Sequence, residues 1–290
     1  MTNNFLLSHR QEEPEKGILY IVGTPIGNLG DISSRAINII ANVSLVACED
    51  TRQTKKIMNR FSISNNVISF NKENSLNKIS KLIAELKTGK SIALVSDAGM
   101  PGICDPGENL VSEAKLAGLD VICIPGACAA ITALVSSGIQ SSKFIFEGFL
   151  PKKNIDREKI LFEISKNEKT TIIYESPHRL KKLLGELLEF CGGEREIIVA
   201  RELTKKFEEH VGNNINDVIM YFQDKEVRGE ITLIIKGIKK ENNQEINKED
   251  LKKDLHELIK AGLSLSAASK YLAKKNGIKK SIIYNLNKGL

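Results

Sequence analysis

The chain has 290 residues, 41% of them hydrophobic, which fits about two globular domains with a sizeable core. Its five cysteines form no CxxC pair and have no spacing typical of zinc ligands. No apolar run approaches the roughly 18 residues of a membrane span, and the N-terminal apolar patch is too short for a signal peptide. We therefore expect reduced core thiols, no metal site, no membrane association and a cytoplasmic protein.

The net charge of +6 lies entirely in the C-terminal part of the chain. Residues 237–290 hold twelve lysines, no arginine and six acidic residues, whereas the rest of the chain holds 30 basic and 30 acidic groups. A balanced body with a basic appendage indicates a polyanionic partner, RNA or DNA, and a merely solubilising helical end is the alternative.

In chain order, the sequence predicts a flexible tail at residues 1–16 and then an α/β domain at 17–139. Its strands are the apolar runs at 18–23, 43–48, 67–70, 91–96 and 119–125. Helical patterns alternate with these strands, near 33–41, 51–60, 75–88, 107–117 and 127–137. The alternation favours βαβ units and a mostly parallel sheet that is covered on both faces.

A second α/β domain is predicted at residues 140–238, after a hinge at GFLP. Strands are expected at 143–151, 170–174, 195–200 and 230–237, with helices at 154–167, 178–189 and 214–223. A polar linker at 239–248 then leads to a basic helical extension at 249–290. Three short helices fit this extension in a helix-turn-helix-like pattern, the second capped by Ser264 or Ser266 and ended at Asn276–Gly277.

Three loops rich in glycine and proline follow predicted strands, GTPIGNLG (23–30), DAGMPGICDPG (97–107) and PGACAA (125–130). Ordinary turn chemistry would explain one such loop, but three at one sheet edge favour a shared pocket. No loop contains the lysine of a Walker A motif, and GxxxGxxG is not the dinucleotide spacing. The absence of cations suits S-adenosylmethionine, whose sulfonium or hydroxyl groups Asp97 and Asp105 could bind. The equal alternative for Asp105 is that it only fixes the loop through hydrogen bonds with the backbone.

Several motifs together resemble the ribosomal RNA small subunit methyltransferase I family of the tetrapyrrole methylase-like superfamily. They are LYIVGTPIGNLGDIS, ACEDTR, LVSDAGMPGICDPG, IPGACAAITAL, FEGFLP, YESPHR and ARELTKKFEE. The resemblance implies a two-domain class III methyltransferase fold, a homodimer, and 2′-O-methylation of a cytidine ribose in the decoding region of 16S rRNA in the small ribosomal subunit. It also implies cofactor contacts, which by motif are Pro25, Ala98, Gly99, Pro101, Ile103, Gly126, Ala127, Ala129, Phe149 and Leu150.

One segment departs from the family, since SFNKENS (69–75) stands where a histidine-rich stretch is usual. The base that takes the ribose proton is therefore sought elsewhere, among polar residues that follow strands. The candidates are Glu49, Asp50, Glu175, His178 and Glu202, each of which could instead form a structural ion pair or cap a helix.

Basic residues near the same loops are candidates for contacts with RNA phosphates. Those in the body are Arg52, Arg179, Arg201 and Lys205, which could equally pair with the neighbouring carboxylates. Those in the extension are Lys270, Lys274, Lys275, Lys279 and Lys280. Two other functions remain open: a tetrapyrrole methyltransferase on the same scaffold, and a helix-turn-helix regulator whose α/β body only senses a ligand.

Overall fold

The computed structural model describes residues 13–239, 248–276 and 280–287, with the side chains of 248, 275 and 276 left out. The chain divides into two compact units, Met1–Ile238 and Lys239–Leu290. Within the described ranges, no helix is both long enough and apolar enough to cross a membrane.

The first sheet of the larger unit is entirely parallel, as predicted. Its strands are β1 (Leu19–Val22), β2 (Leu45–Cys48), β3 (Val67–Ser69), β4 (Ile92–Val95) and β5 (Val121–Ile124). They lie in the order β3-β2-β4-β1-β5. Successive residues of β1 enter opposite hydrophobic clusters, Tyr20 and Val22 on one face and Leu19 and Ile21 on the other. Both faces are thus covered, which is why these strands read as continuous apolar runs.

Four helices cover this sheet: α1 (Ser34–Asn42), α2 (Thr51–Arg60), α3 (Ser75–Lys87) and α4 (Glu108–Leu116). Polar caps set the starts of α1 and α2, because the Ser33 hydroxyl accepts a hydrogen bond from the Ala36 amide and the Asp50 carboxylate accepts one from the Arg52 amide. The described part of the predicted tail is anchored to α1, since Glu13 forms two hydrogen bonds with the Arg35 guanidinium at 2.5 and 2.6 Å. Residues 1–12 lie outside the described ranges.

The second sheet is mixed, in contrast to the parallel first sheet. Its elements are α5 (Ala129–Ser136), β6 (Phe144–Phe149), α6 (Asn154–Lys166), β7 (Thr170–Glu175), α7 (Pro177–Cys191), β8 (Glu196–Arg201), β9 (Glu209–Asn214), α8 (Ile215–Phe222) and β10 (Ile231–Ile235). The strand order is β6-β7-β10-β8-β9, and only β6 and β7 pair in parallel. The sheet is mixed because β10 enters its centre in the direction opposite to β7 and β8.

Two further features of this half were not predicted. Strand β9 has the sequence EHVGNN, whose single apolar side chain gives no strand signal, and it pairs only at the sheet edge. Helix α5 packs against the second sheet, where Ala133 and Leu134 meet Ile172 and Ile234. The predicted domain boundary at residue 140 falls between α5 and β6. The packing of α5 on the second sheet instead groups this helix with the strands that follow it in the chain.

The smaller unit contains α9 (Lys248–Lys260), α10 (Leu265–Asn276) and α11 (Lys280–Leu286). Its core is formed by Leu255, Leu272 and Ile283 with two alanines of α10. The Ser264 hydroxyl accepts a hydrogen bond from the Ala267 amide at 3.3 Å, which confirms one of the two predicted caps. The predicted glycine stop at residue 277 lies outside the described ranges.

All five cysteines are free thiols. Only Cys48 is buried, Cys123 on the edge strand β5 is exposed, and the other three are half-buried. The expectation of a core thiol is therefore wrong for Cys123, because its edge strand leaves one face uncovered, whereas half-buried Cys128 and Cys191 pack against core clusters.

Candidate functional site

The first two glycine-rich loops are joined by a short antiparallel bridge. The Thr24 amide donates to the Gly99 carbonyl at 2.9 Å, and the Gly99 amide donates back to the Thr24 carbonyl at 3.1 Å. The buried Thr24 hydroxyl also donates to the Ser96 carbonyl at 3.2 Å. Backbone hydrogen bonds therefore set the spacing of the two loops, as is expected at the carboxyl ends of neighbouring parallel strands.

The third loop meets the first by direct backbone contact. A Cβ atom on Gly23 would lie 2.6 Å from the Gly126 Cα, so neither position has room for a side chain. Gly99 has φ of +79°, a left-handed conformation that L side chains rarely adopt. The glycines are thus required by two features of the site, a close approach and a tight turn.

The second sheet completes the site with the carboxyl ends of β6, β7 and β8 and the amino end of β10. Because β10 is antiparallel, Ile231 lies beside Glu175 on one side and Arg201 on the other. The residues that begin β10, Gly229–Thr232, therefore line the cleft. Sequence reasoning missed them because the direction of a strand in a mixed sheet is set by long-range pairing.

The loop after β8 also contacts the first glycine-rich loop. The Asn28 amide donates to the Thr204 hydroxyl at 3.1 Å, and a Cβ atom on Gly27 would meet Thr204 and Lys205 at 2.7 and 2.5 Å. Ile26 and Leu203, which lie beside these contacts, both line the cleft. The two halves of the body are therefore held together at this wall.

The resulting cleft has a volume of about 360 Å³, in the range of small-molecule sites. Most of its lining is apolar, and none of the described residues that line it is lysine, arginine or histidine. Its carboxylates are Asp105, Glu175 and Glu230. Phe149 lines the cleft with 57% of its surface exposed and packs edge to face on Tyr174 at 5.6 Å. The cleft thus offers apolar surface, an aromatic ring and negative charge.

About half of the predicted cofactor contacts line this cleft: Ala98, Gly99, Ile103, Ala129 and Phe149. The others are not among the lining residues: Pro25, Asp97, Pro101, Gly126, Ala127 and Leu150. Leu150 is 2% exposed and belongs to the core of the second half. Asp97 accepts a hydrogen bond from the Asp50 amide at 2.9 Å and so fixes the start of α2. Cleft residues that sequence reasoning did not single out include Tyr174, Cys104 and Cys128.

The candidate carboxylates after β2 and β4 differ in environment. Hydrogen bonds from Arg52 lower the pKa of Asp50 to about 2, and Asp50 does not line the cleft. Burial raises the pKa of Asp105, which does line it, and the pKa of Glu49, where Asp105 and Asp97 add to the effect. A half-buried carboxylate with a raised pKa is a better proton acceptor than one held by a guanidinium.

The candidates after β7 and β8 are also separated by the structure. Glu175 reaches the cleft but is 2% exposed and bound to Arg179, while His178 is exposed in the first turn of α7. Glu202 forms an ion pair with Lys205 at 2.9 Å and does not line the cleft.

All four basic residues that were predicted to hold phosphates in the body are engaged with carboxylates. Arg52 pairs with Asp50 at 2.6 Å and Arg179 with Glu175 at 2.7 Å. Arg201 pairs with Glu209 at 2.8 Å, and Lys205 bridges two carboxylates. To bind one of these basic side chains, an RNA phosphate would have to displace its carboxylate partner or bind beside it.

In the smaller unit, α10 buries one face and exposes the other. Ala268, Ser269, Leu272 and Ala273 are buried, whereas Lys270, Tyr271 and Lys274 are exposed on the opposite face. Lys280 donates to the Ser266 hydroxyl at 2.7 Å. The side chain of Lys275 and all of Lys279 lie outside the described structure.

The two-sheet body with a loop-lined cleft is the architecture of a methylase, and comparison with known proteins identifies the class. The model of the family described as Tetrapyrrole (Corrin/Porphyrin) Methylases matches residues 18–219. A solved uroporphyrin-III C-methyltransferase from Thermus thermophilus, in complex with S-adenosylhomocysteine, matches 75% of this chain and 96% of its own with a TM-score of 0.54 at 14% identity. That likeness concerns the fold alone, and it agrees with the predicted fold class.

Curated relatives identify the family to which the chain belongs within this class. The protein named ribosomal RNA small subunit methyltransferase I from Synechocystis is 44% identical over 93% of this chain and 97% of its own length. Its namesake from Vibrio cholerae is 43% identical over 92% of this chain and 93% of its own length. The chain therefore belongs to the ribosomal RNA small subunit methyltransferase I family of the tetrapyrrole methylases.

Proposed function

We propose that the protein methylates the 2′-hydroxyl of a cytidine ribose in the decoding region of 16S rRNA. The methyl donor is S-adenosylmethionine. The observation that supports this proposal most is the cleft, which combines apolar walls and the carboxylate of Asp105 with no basic residue among its described lining, while Glu175 and Glu230 are paired with Arg179 and Lys205. Such a site favours a cationic sulfonium over a phosphate-rich cofactor.

The donor would lie against the three glycine-rich loops, where side chains are too small to fill the space. Ala98, Gly99 and Ala129 supply this surface, and backbone groups there are available to its adenosine and amino-acid parts. Phe149 offers an exposed ring from the second half of the body. This arrangement would leave the open side of the cleft for the incoming ribose.

The reaction needs alignment and a place for one proton. The ribose oxygen forms a bond to the methyl carbon as the carbon–sulfur bond breaks, and the electron pair of that bond leaves with neutral S-adenosylhomocysteine. We assign the hydroxyl proton to Asp105, which reaches the cleft and is half-buried. The charge of nearby Asp105 adds to burial in raising the pKa of the Glu49 carboxyl. The two acids together therefore favour uptake of one proton.

The exposed face of α10 would hold the RNA. Residues 261–290 contain six lysines and no acidic residue. Lys270 and Lys274 flank Tyr271, whose ring is 56% exposed, so the face combines phosphate-binding charge with a surface for base stacking.

A homodimer is part of the proposal. Ile131 and Val135, one turn apart on α5, are 44% and 68% exposed, so together they offer apolar surface to a second copy of the chain. Light scattering of the purified protein at micromolar concentration should give twice the mass of one chain, which is 32.1 kDa. A single-chain mass at every concentration would remove the dimer from the proposal.

The main competitor is methylation of a tetrapyrrole. The Thermus thermophilus uroporphyrin-III methyltransferase leaves a quarter of this chain without a counterpart, whereas the rRNA methyltransferase relatives span nearly all of it. A helix-turn-helix regulator, the other competitor, would bind duplex DNA and turn over no substrate.

One experiment separates the three functions. Protein and labelled S-adenosylmethionine are incubated with undermodified 30S subunits, with a uroporphyrinogen, and with random duplex DNA. We expect label in the 30S subunits alone, and nucleoside mapping should place it on a 2′-O-methylcytidine. Label on the tetrapyrrole, on another nucleoside, or on nothing would contradict the proposal.

A further inference from the structure

A cluster of buried charges lies under the part of the cleft that the second sheet provides. The side chain of Glu175 is fully buried and that of Arg157 is 4% exposed. Arg179, in the first turn of α7, and Glu186, further along the same helix, complete the cluster. Charges so deeply buried cost free energy, and their loss one at a time leaves an unpaired charge behind.

Donors occupy the oxygens of Glu175. Arg179 binds them in a fork, through Nε at 2.7 Å and Nη2 at 2.9 Å, and the Ser176 amide donates to Oε1 at 2.7 Å. Arg157 lies 3.6 Å from Oε2. A substrate proton would have to displace these charged donors, so Glu175 is poorly placed to act as a base although it reaches the cleft.

The two arginines extend the cluster to the backbone that follows Phe149. Arg179 donates through Nη2 to the Leu150 carbonyl at 3.2 Å, and Arg157 donates through Nη1 to the Pro151 carbonyl at 3.4 Å. Glu175 itself directly follows Tyr174, whose ring contacts Phe149 and whose hydroxyl accepts from the Ala130 amide at 2.9 Å. One carboxylate thus anchors both the ring that faces the cleft and the strand end beside it.

We propose that Glu175 is a positioning residue that fixes Phe149 and the following turn, through Arg157 and Arg179, for binding of the methyl donor. This inference rests on the proposed function, because it requires that the donor lie in this cleft. The two roles that have been considered for Glu175 make opposite predictions. Loss of a catalytic base would lower kcat, whereas loss of a positioning residue would raise the Kd for the cofactor.

The test compares Glu175→Gln with the wild-type protein. The substitution keeps the shape of the side chain but turns one acceptor oxygen into an amide donor that faces a guanidinium. We expect the Kd for S-adenosylhomocysteine, measured by calorimetry, to rise about tenfold, with cooperative unfolding retained. At saturating donor, kcat and its pH profile should change little. A collapse of kcat with unchanged Kd would overturn the inference.

Two further variants serve as controls. Glu189→Gln changes an exposed carboxylate of α7 that lies outside the cluster and does not line the cleft, and we expect the Kd to stay within about twofold of wild type. Arg179→Lys keeps the charge but loses the fork, so it should weaken cofactor binding in the same direction as Glu175→Gln. If Glu175→Gln does not fold, Arg179→Lys decides the matter, and an unchanged Kd in that variant would contradict the inference.

Failure of the inference is distinguishable from failure of the proposed function. If Gly99→Arg binds S-adenosylhomocysteine as well as wild type does, or if wild type does not bind it, the cleft is not the cofactor site and both proposals fall. If Gly99→Arg loses binding while Glu175→Gln and Arg179→Lys retain full affinity, the cofactor site stands and only the positioning role is excluded.

Discussion

The α/β body and the C-terminal unit use basic side chains in different ways. In the body, Arg52, Arg179 and Arg201 each lie within 2.8 Å of a carboxylate oxygen. In the described part of the C-terminal unit, Lys270 and Lys274 form no ion pair and face outward. Charge is therefore used for internal geometry in the body and is left available to a polyanion in the extension. The comparison predicts that cofactor binding and RNA binding can be lost separately.

The largest effect is expected from Gly99→Arg in the body. Gly99 adopts φ of +79°, and a Cβ there would lie 3.4 Å from both the Ala127 carbonyl and Ile26, so a long cationic side chain would enter the cleft. We expect loss of S-adenosylmethionine binding by more than about 100-fold, from steric exclusion and repulsion of the sulfonium, with RNA affinity unchanged.

Gly118→Arg is the matched control for this substitution. Gly118 has nearly the same backbone conformation, with φ of +72°, but a Cβ there would meet nothing within 4 Å. Calorimetry should therefore show normal cofactor affinity in Gly118→Arg. Undiminished affinity in Gly99→Arg itself would contradict the assignment of the cleft.

The double substitution Lys270→Glu with Lys274→Glu tests the other side of the comparison. We expect RNA affinity to fall about tenfold or more, and the dependence of log Kd on log salt to become shallower by about 0.7–0.9 per lost phosphate contact. Cofactor affinity should not change. Lys87→Glu with Lys115→Glu, two exposed lysines of the body, makes the same change in net charge, and an equal loss of RNA affinity in this pair would refute a specific role for α10.

A smaller effect is expected from Tyr271→Ala. Loss of a ring that stacks on a base costs about 1–3 kcal/mol, and for this single exposed ring we expect the lower end, about fivefold in Kd. The effect should appear in RNA binding at all salt concentrations rather than in the salt slope. Tyr271→Phe keeps the ring and should retain most of the affinity. If both variants bind RNA as wild type does, in filter-binding or fluorescence titrations, the face binds phosphates alone.

The smallest effect concerns a paired charge of the body, Asp50. Its pKa of about 2 in the folded protein lies below the ordinary value near 3.9, so its contribution to stability is complete above pH 4 and is lost as the pH falls toward 2. Asp50→Asn should lower the thermal midpoint slightly at pH 7 and flatten its fall between pH 4 and 2. RNA affinity should not change, and a marked loss of it would show that Arg52 contacts RNA only when held by Asp50.

Much of the fold could be predicted from local sequence. Continuous apolar runs such as LYIV and IALV predict strands that are buried on both faces. Polar residues at helix starts, such as Asp50, Ser33 and Ser264, accept hydrogen bonds from amides of the first turn. The meeting of the three glycine-rich loops also followed from their positions after parallel strands. These features depend on neighbours in sequence or on a general rule for sheets.

What could not be predicted depends on partners that are distant in sequence. Nothing in ITLII reveals that β10 runs antiparallel between β7 and β8, so its first residues were not expected in the cleft. The sequence YESPHR shows a carboxylate and an arginine one turn apart, but not that Arg157 approaches the same carboxylate from α6. The role of Glu175 therefore depends on contacts that only the three-dimensional structure shows.

The central position of β10 has a consequence for how the protein is made. Strands β7 and β8 lack their shared neighbour until residues 231–235 have emerged from the exit tunnel of the ribosome. Up to that moment the nascent chain has an open gap in its second sheet and no finished wall on that side of the cleft. Methyl-donor affinity should thus arise abruptly and late in translation, after more than three quarters of the chain has been synthesised.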